Sequence, residues 1–460
     1  MIDKQEVLEF ARLMNLLPQT VEKDYVLGWV LAGIEDHSAI FPVWCFKGGT
    51  CLKKCYFETY RFSEDLDFTI SAPAQLNHDF LIEVFSEIGQ WIYENSGIEI
   101  PADSISFDIY ETVNGKLAAQ GKIGYIGPLK RRHNIPKLKF DLTMDEIIVL
   151  EPKVSEVHHP YSDKPESGIH ARCYPYEEVF AEKIRALAQR ARPRDLYDVI
   201  FLFRNQHLVT EHALVVSTLE EKCKYKDIKT PDFESIERHA KRDELESEWE
   251  NMLKHQLPSL PSVAHFLNEL PTFFDWLYGV TPPPKELPSV EMVKPDHQTW
   301  MPGRVVSAFS GSAFIEKIQF AAANRVCIHL VYKNKRRTIE PYSFRMSSEG
   351  AKLFYGYEKE AGHPKCYRLD RFGSVSVTNI PFTPRYRIEI SSYGPVRMPP
   401  VSSIARKASS KSGPVYIYKC SRCERTFRRT KRDAKMRPHK DKNGYKCSER
   451  RGYLEELFIS

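Results

Sequence analysis

Apolar residues recur every three to four positions in some stretches of the chain and every second position in others, and the two patterns interleave. Residues 1–37 carry the helical period twice; in the second run Val21, Tyr25, Trp29 and Ile34 share a face, with Thr20 as the cap. FPVWCFK reads as a strand, Gly48, Gly49 and Thr50 as a tight turn, CLKKCYF as a short basic helix, and the segment with Asp65 and Asp67 as a second strand. A helix is expected over 77–96, strands over SISFDIYE, KLAAQGKIGYIG and KLKFDLT, and two helices over 176–203, with Pro193 opening the second. Helices continue through 205–278, and the proline-rich TPPPKELPS reads as a semi-rigid linker. Strand signals return in CIHLVYKN, KLFYGYEK and YRIEI. The pattern predicts an α+β chain: a domain over 1–278 ending in helices, a linker over 279–303, a small β-rich module over 304–392, a linker over 393–414 and a terminal segment over 415–460.

The stretch from Phe46 to Phe68 carries the densest chemistry. A Gly-Gly-Thr turn ahead of a helix frees backbone N–H groups that can cradle phosphate, and glycine lets the phosphate come close. Side chains alternate along a strand, so Asp65 and Asp67 share one face while Leu66 and Phe68 point to the other. Adjacent carboxylates repel unless a cation or proton lies between them, and beside phosphate that cation is Mg²⁺. In KLKFDLT, Asp141 lies on the polar face with Lys137, Lys139 and Thr143, either as a third carboxylate of the site or as part of a solvated strand face. Lys183 falls inside the apolar stripe of Tyr176, Val179, Phe180, Ile184 and Leu187, where a lysine is costly unless paired. It either pairs structurally with Asp195 or Asp198 or meets a phosphate in a cleft.

At 460 residues the chain is expected to hold two to four domains. It has no apolar run of membrane-spanning length and its start is unlike a signal peptide, so a cytoplasmic protein without a membrane partner is expected. The net charge of +5 is unevenly spread: residues 402–451 hold 17 Lys and Arg against 4 Asp and Glu, which points to a polyanion as partner. Within them Cys420, Cys423, His439 and Cys447 have the spacing of a closed structural zinc site, and a short segment with little core would depend on that metal to fold. Arg428, Arg429, Lys431, Arg432, Lys435 and Arg437 cluster between the ligand pairs, with Phe427 and Tyr445 nearby, a composition suited to RNA phosphates and bases. Cys45, Cys51, Cys55, Cys173, Cys223, Cys327 and Cys366 show no ligand spacing and read as packed, reduced thiols.

VEKDY, KGGT, RFSEDLDF, KFDLT and EKIRALAQRARPRDLYD, in that order, resemble the AbiEii/AbiGii toxin family of nucleotidyltransferases, of the polymerase-β-like superfamily, over roughly residues 1–275. The resemblance implies transfer of a nucleoside monophosphate from an NTP in a toxin–antitoxin or phage-defence setting, with an antitoxin as partner. It puts nucleotide binding on Gly48, Gly49, Thr50 and Ser63, Mg²⁺ on Asp65 and Asp67, and further catalytic groups at Asp141, Lys183 and Asp195, with Asp195 orienting Lys183. In the related MenT toxins the acceptor is the tRNA 3′ end, which makes RNA, and tRNA in particular, the expected acceptor. The stretch from RRTIEPYSF through LFYGY to YRLDR resembles a WYL domain, with Arg345, Tyr355, Arg368 and Arg371 as candidates for a basic face that binds a small ligand. A different class of function also fits these modules: a ligand-responsive nucleic-acid-binding regulator with an inactive transferase domain.

Overall fold

The computed structural model describes residues 1–14, 16–57, 61–280, 287–290, 304–305, 313–346, 352–390, 415–429, 432, 434–435, 439, 441, 446–449 and 451–458. Most of the linker at 279–303, all of 393–414, and Lys431, Arg437 and Tyr445 lie outside the described residues. The chain divides into two compact units, Met1–Val396 and Arg397–Ser460. It is a mixed α+β protein, and among the described residues no helix is long and apolar enough to cross a membrane.

Seven strands, β1 (Trp44–Lys47), β2 (Asp65–Ile70), β3 (Ile105–Glu111), β4 (Leu117–Gly124), β5 (Lys137–Thr143), β6 (Lys153–Glu156) and β7 (His170–Cys173), form one sheet ordered β3-β4-β5-β2-β1-β7-β6. The β2–β5 and β1–β7 pairs are parallel and the others antiparallel. Alternation sorts the faces: Leu66, Phe68, Leu138, Phe140 and Leu142 are buried, while their polar neighbours along β2 and β5 stand on the other face. Among the helices α1 (Lys4–Met14), α2 (Pro18–Asp36), α3 (Gly48–Cys51) and α4 (His78–Ser96), the last covers the apolar face. Its Phe85 ring stands 4.8 Å from Phe140 and 5.0 Å from Phe107. Strands β6 and β7 show no period in the sequence because four residues are too few to carry one.

Helix α2 begins at Pro18 rather than after a cap at Thr20, since proline at a first-turn position sacrifices no helical hydrogen bond. It is buried on nearly every side, and its polar residues are fastened one by one to other segments. Glu22 accepts from the Leu129 amide (2.7 Å) and Arg131 (2.7 Å), Lys23 meets Glu64 (2.7 Å), Asp24 meets Lys54 (2.8 Å), and Tyr25 donates to Asp163 (2.7 Å). The VEKDY stretch thus ties the two halves of the sheet domain together.

Helices α5 (Tyr176–Arg190), α6 (Pro193–Arg204) and α7 (His212–Tyr225) follow, then five short ones, α8 (Phe233–Glu237), α9 (Arg242–Ser247), α10 (Trp249–Leu253), α11 (Val263–Leu267) and α12 (Leu270–Leu277). The β-rich part of the first unit adds α13 (Ala313–Ala323) and the strands β8 (Arg304–Val305), β9 (Val326–Tyr332), β10 (Lys335–Met346), β11 (Lys352–Glu358), β12 (His363–Arg368) and β13 (Phe372–Pro381). The main path of this sheet runs β12-β11-β10-β9-β13, with β8 beside β10. YRIEI is not a strand of it: the Arg387 and Glu389 amides donate singly to Pro288 and Tyr342. By register Arg345, Tyr355 and Arg368 project to one face of this sheet, but Arg345 and Tyr355 are buried, Arg345 against Glu389, and Arg368 pairs with Asp370.

This part shares a wall with the first seven-stranded domain. Phe320 of α13 belongs to the large core, Tyr197 of α6 donates to Asn324 (2.9 Å), and Arg204 and Arg325 converge on Glu269 at 2.6 and 2.7 Å. In the second unit β14 (Val415–Cys420), β15 (Thr426–Arg429) and β16 (Gly452–Phe458) form a small antiparallel sheet ordered β15-β14-β16.

Candidate active site

Strand register assembles the carboxylates. Asp67 of β2 pairs with Asp141 of β5 on one side and with Lys47 of β1 on the other, and Asp65 pairs with Lys139. Paired residues project to the same side of a sheet, so Asp65, Asp67 and Asp141 share one polar face. Burial pushes the Asp67 carboxyl up, Lys47 pulls it down, Asp141 pushes it up again, and the outcome is about 7. Burial and then Asp65 also raise Asp141. An acid raised by its like-charged neighbours is suited to share a cation with them.

The glycine turn runs directly against this cluster. Gly48 adopts a left-handed φ of 78°, and a Cβ there would lie 2.1 Å from Asp67 Oδ2. Only glycine meets both conditions. A Cβ on Gly49 would lie 2.9 Å from Arg61 and 3.0 Å from the Ser63 hydroxyl, which places Ser63 at the turn. The Thr50 hydroxyl donates to the Asp65 carbonyl at 2.5 Å and anchors the turn to β2.

Two lysines beside the carboxylates, Lys47 and Lys183, are committed to other acids. Lys47 binds Glu182 (3.2 Å), and Glu182 lies 3.7 Å from Lys222. Lys183 binds Asp198 (2.8 Å), and Arg61 grips Asp198 with two nitrogens at 2.7 and 2.8 Å. Burial alone would raise the Asp198 carboxyl, but Arg61 and Lys183 hold it well below the ordinary range. Asp195 is engaged by Arg190 through two bonds of 2.7 Å, so the acid bonded to Lys183 is Asp198 rather than Asp195. Arg194 is half-buried, and its Nε makes no hydrogen bond within the described residues. Burial and then Arg61 lower it, while Asp65 and Asp198 raise it, which places Arg194 beside the acidic cluster.

Lys47, Arg61, Glu182 and Arg194 were not among the expected site residues. Lys47 was legible as the last strand residue before Gly48; the others required the packing of α5 and α6. Beyond Asp141 the same sheet face turns basic. Lys122 pairs with Lys139, Gly124 pairs with Lys137, and all three lysines are exposed.

In the second unit the ligand atoms of Cys420, Cys423, His439 and Cys447 all lie within 4.8 Å of one another. The sulfurs of Cys420 and Cys447 are 3.8 Å apart, the separation that tetrahedral zinc imposes on thiolates bound at about 2.3 Å. Burial pushes the Cys420 thiol up, but the backbone of Cys423 and Arg422, then His439, bring it down to about 6. Phe427 packs on His439 at 4.9 Å between ring centroids. Arg432 and Lys435 are exposed. Arg428 and Arg429 lie in β15, opposite Ile417 and Tyr416 of β14.

No curated protein matches the chain. Among solved structures it is similar to proteasome accessory factor B/C (PafBC) of Arthrobacter aurescens, at 14% identity and a TM-score of 0.16, over 28% of this chain and 20% of that one. The likeness thus spans about a fifth of that protein. The family model described as nucleotidyl transferase AbiEii toxin, type IV toxin–antitoxin system, matches residues 29–278, more than half of the chain and the whole of the acidic site. The chain belongs to this family of nucleotidyltransferase toxins.

Proposed function

We propose that the first domain transfers a nucleoside monophosphate from an NTP to an RNA acceptor, the tRNA 3′ end, and that it does so with Mg²⁺. The observation that carries this reading is the meeting of Asp65, Asp67 and Asp141 on one sheet face against a left-handed glycine turn. Asp65 and Asp67 would hold Mg²⁺, with Asp141 beside them. When bound, the ion would supply charge neutralisation on the triphosphate and stabilise in-line displacement. The backbone of Gly48, Gly49 and Thr50 and the hydroxyl of Ser63 would hold phosphate oxygens. Asp141, the most exposed of the three acids, would accept the proton of the acceptor hydroxyl. Lys183, held by Asp198, and Arg194 would neutralise charge on the leaving pyrophosphate. Asp195 would serve as a positioning residue for Arg190. The lysines on the open β4–β5 face suit a polyanionic acceptor.

The second unit would bind zinc through Cys420, Cys423, His439 and Cys447 and contact RNA through Arg428, Arg429, Lys431, Arg432 and Lys435. The β-rich part would act as a WYL-like sensor of a small ligand or nucleotide. The family's type IV designation supports an antitoxin as a further partner. The test is incubation with each labelled NTP, Mg²⁺ and total cellular RNA. Label on RNA 3′ ends that disappears in Asp67→Asn supports the proposal. Label on protein alone, or RNA labelling retained in that variant, overturns it.

A further inference from the structure

Three cysteines outside the acidic face converge directly behind the glycine turn. Cys51 ends α3, Cys55 lies in the turn Leu52–Tyr56, and Cys173 ends β7. Their sulfurs all lie within 4.8 Å of one another. Nothing in their sequence spacing shows this, because Cys173 arrives through the parallel pairing of β7 with β1, where it stands opposite Phe46.

Two local features set this trio apart from thiols that merely fill a core. The first is the wide π-turn that carries Cys55, closed by the Phe57 amide on the Leu52 carbonyl at 2.8 Å. Such turns are uncommon and recur at functional sites. The second is a cation at the rim. Lys153 of β6 is the register partner of Cys173, and its ammonium lies 4.4 Å from the centroid of the neighbouring Tyr56 ring. A nearby ammonium favours thiolate over thiol. Cys51 and Cys173 are fully buried, whereas Cys55 keeps 9% exposure and offers a way in.

The geometry points to a binding site for one soft monovalent cation, Cu(I) in character, held by Cys51, Cys55 and Cys173. Three sulfurs around one ion at about 2.3 Å stand about 4 Å apart, which this cluster can accommodate. Thiolate ligands select soft ions, and structural zinc takes four ligands. Among the described residues no fourth His, Asp, Glu or Cys joins the group. Because Cys51 directly follows Thr50, an occupied site would stiffen the turn from behind.

The test uses the full chain with Cys420→Ser and Cys423→Ser, so that the second unit's thiols do not compete. Under anaerobic, reducing conditions this protein is titrated with Cu(I) against a chromophoric Cu(I) chelator. One ion retained per chain, with a raised melting temperature, is the expected result. Adding Cys55→Ala, at the rim, should weaken retention by more than about tenfold, as loss of a ligand requires. Adding Cys366→Ala, at an exposed thiol, should not. Cys173→Ala is a second probe, read only if its circular dichroism spectrum matches that of the parent. No retained ion, equal retention in Cys55→Ala, or thiol counting that finds the trio oxidised to a disulfide would overturn the proposal.

Discussion

On α5 and α6 three buried acids each meet a cation: Glu178 meets Lys222 at 2.9 Å, Asp195 meets Arg190, and Asp198 meets both Lys183 and Arg61. On the open face of β2 and β5, Asp65, Asp67 and Asp141 lie beside one another, and the nearby Lys47 and Lys183 bind other acids. The same chemical group is pushed in opposite directions, with Asp198 held down and Asp67 brought up to about 7. A buried carboxylate paired with arginine or lysine is part of the scaffold, and removing either partner leaves an uncompensated charge. Carboxylates set against each other reduce stability, and a fold keeps them where a ligand will later supply the missing charge.

The sharpest way to break this contrast is to neutralise one acid from each side. Asp67→Asn should lower transfer by at least about a thousandfold, since a bound metal contributes several kcal/mol to the barrier. Its melting temperature should equal or exceed that of the parent, because a repulsion is relieved. Labelled-NTP assays and a thermal melt on the same sample measure both. A destabilised Asp67→Asn would place this acid with the scaffold group.

Asp198→Asn should do the reverse. It leaves Arg61 and Lys183 without their buried acid, and a cost of about 3–5 kcal/mol is expected in urea unfolding. Because Asp198 also holds Lys183, transfer per folded molecule should fall as well, but by less than in Asp67→Asn. Unchanged stability would move Asp198 to the functional side.

Acid titration gives a smaller and more gradual effect. Burial would raise Asp24, but Lys54 and then Lys53 outweigh it and hold it below its ordinary 3.8. A depressed acid contributes stability that is complete above its unfolded value and is lost as pH falls towards the folded one. Urea midpoints measured from about pH 6 to about pH 3 should therefore fall more steeply in the parent than in Asp24→Asn.

The smallest effect is expected from Tyr197→Phe, which removes one buried hydrogen bond to Asn324 and should cost about 1 kcal/mol. If transfer changes by more than stability does, the β-rich part is coupled to the site through α6.

Much of the site was legible because strands obey a strict period. Asp65 and Asp67 could be set on one face from alternation alone, while KLKFDLT put Asp141 on a polar strand face without deciding between the site and solvent. The register that puts Asp67 opposite Asp141 could not be read, since parallel pairing of β2 with β5 joins residues more than seventy positions apart. Helix pairing was half legible: the apolar stripe on α5 marked Lys183 as needing an acid, but choosing between Asp195 and Asp198 depended on how α6 rotates against α5. The cysteine trio was invisible for the same reason as the register, whereas the second unit's Cys/His set was plain because its ligands lie close in sequence. Most strands of the β-rich part were legible, but YRIEI alternates like a strand and still forms no ladder, because its partners are single carbonyls.

Helix α6 carries the acids and Arg194 near its start and the contacts to Asn324 further along, so a dozen residues belong to two regions at once. For anyone wishing to exchange the β-rich part for another, the unit of exchange is therefore larger than the sequence boundary at the prolines. A chain cut there would keep Tyr197 and Arg204 shaped for a surface that is gone, and would uncover the wall on which Phe320 packs. Interchangeable versions would have to carry a matched outer side of α6 with them, and related chains with a different second part should differ at Tyr197 and Arg204 before they differ at Asp198.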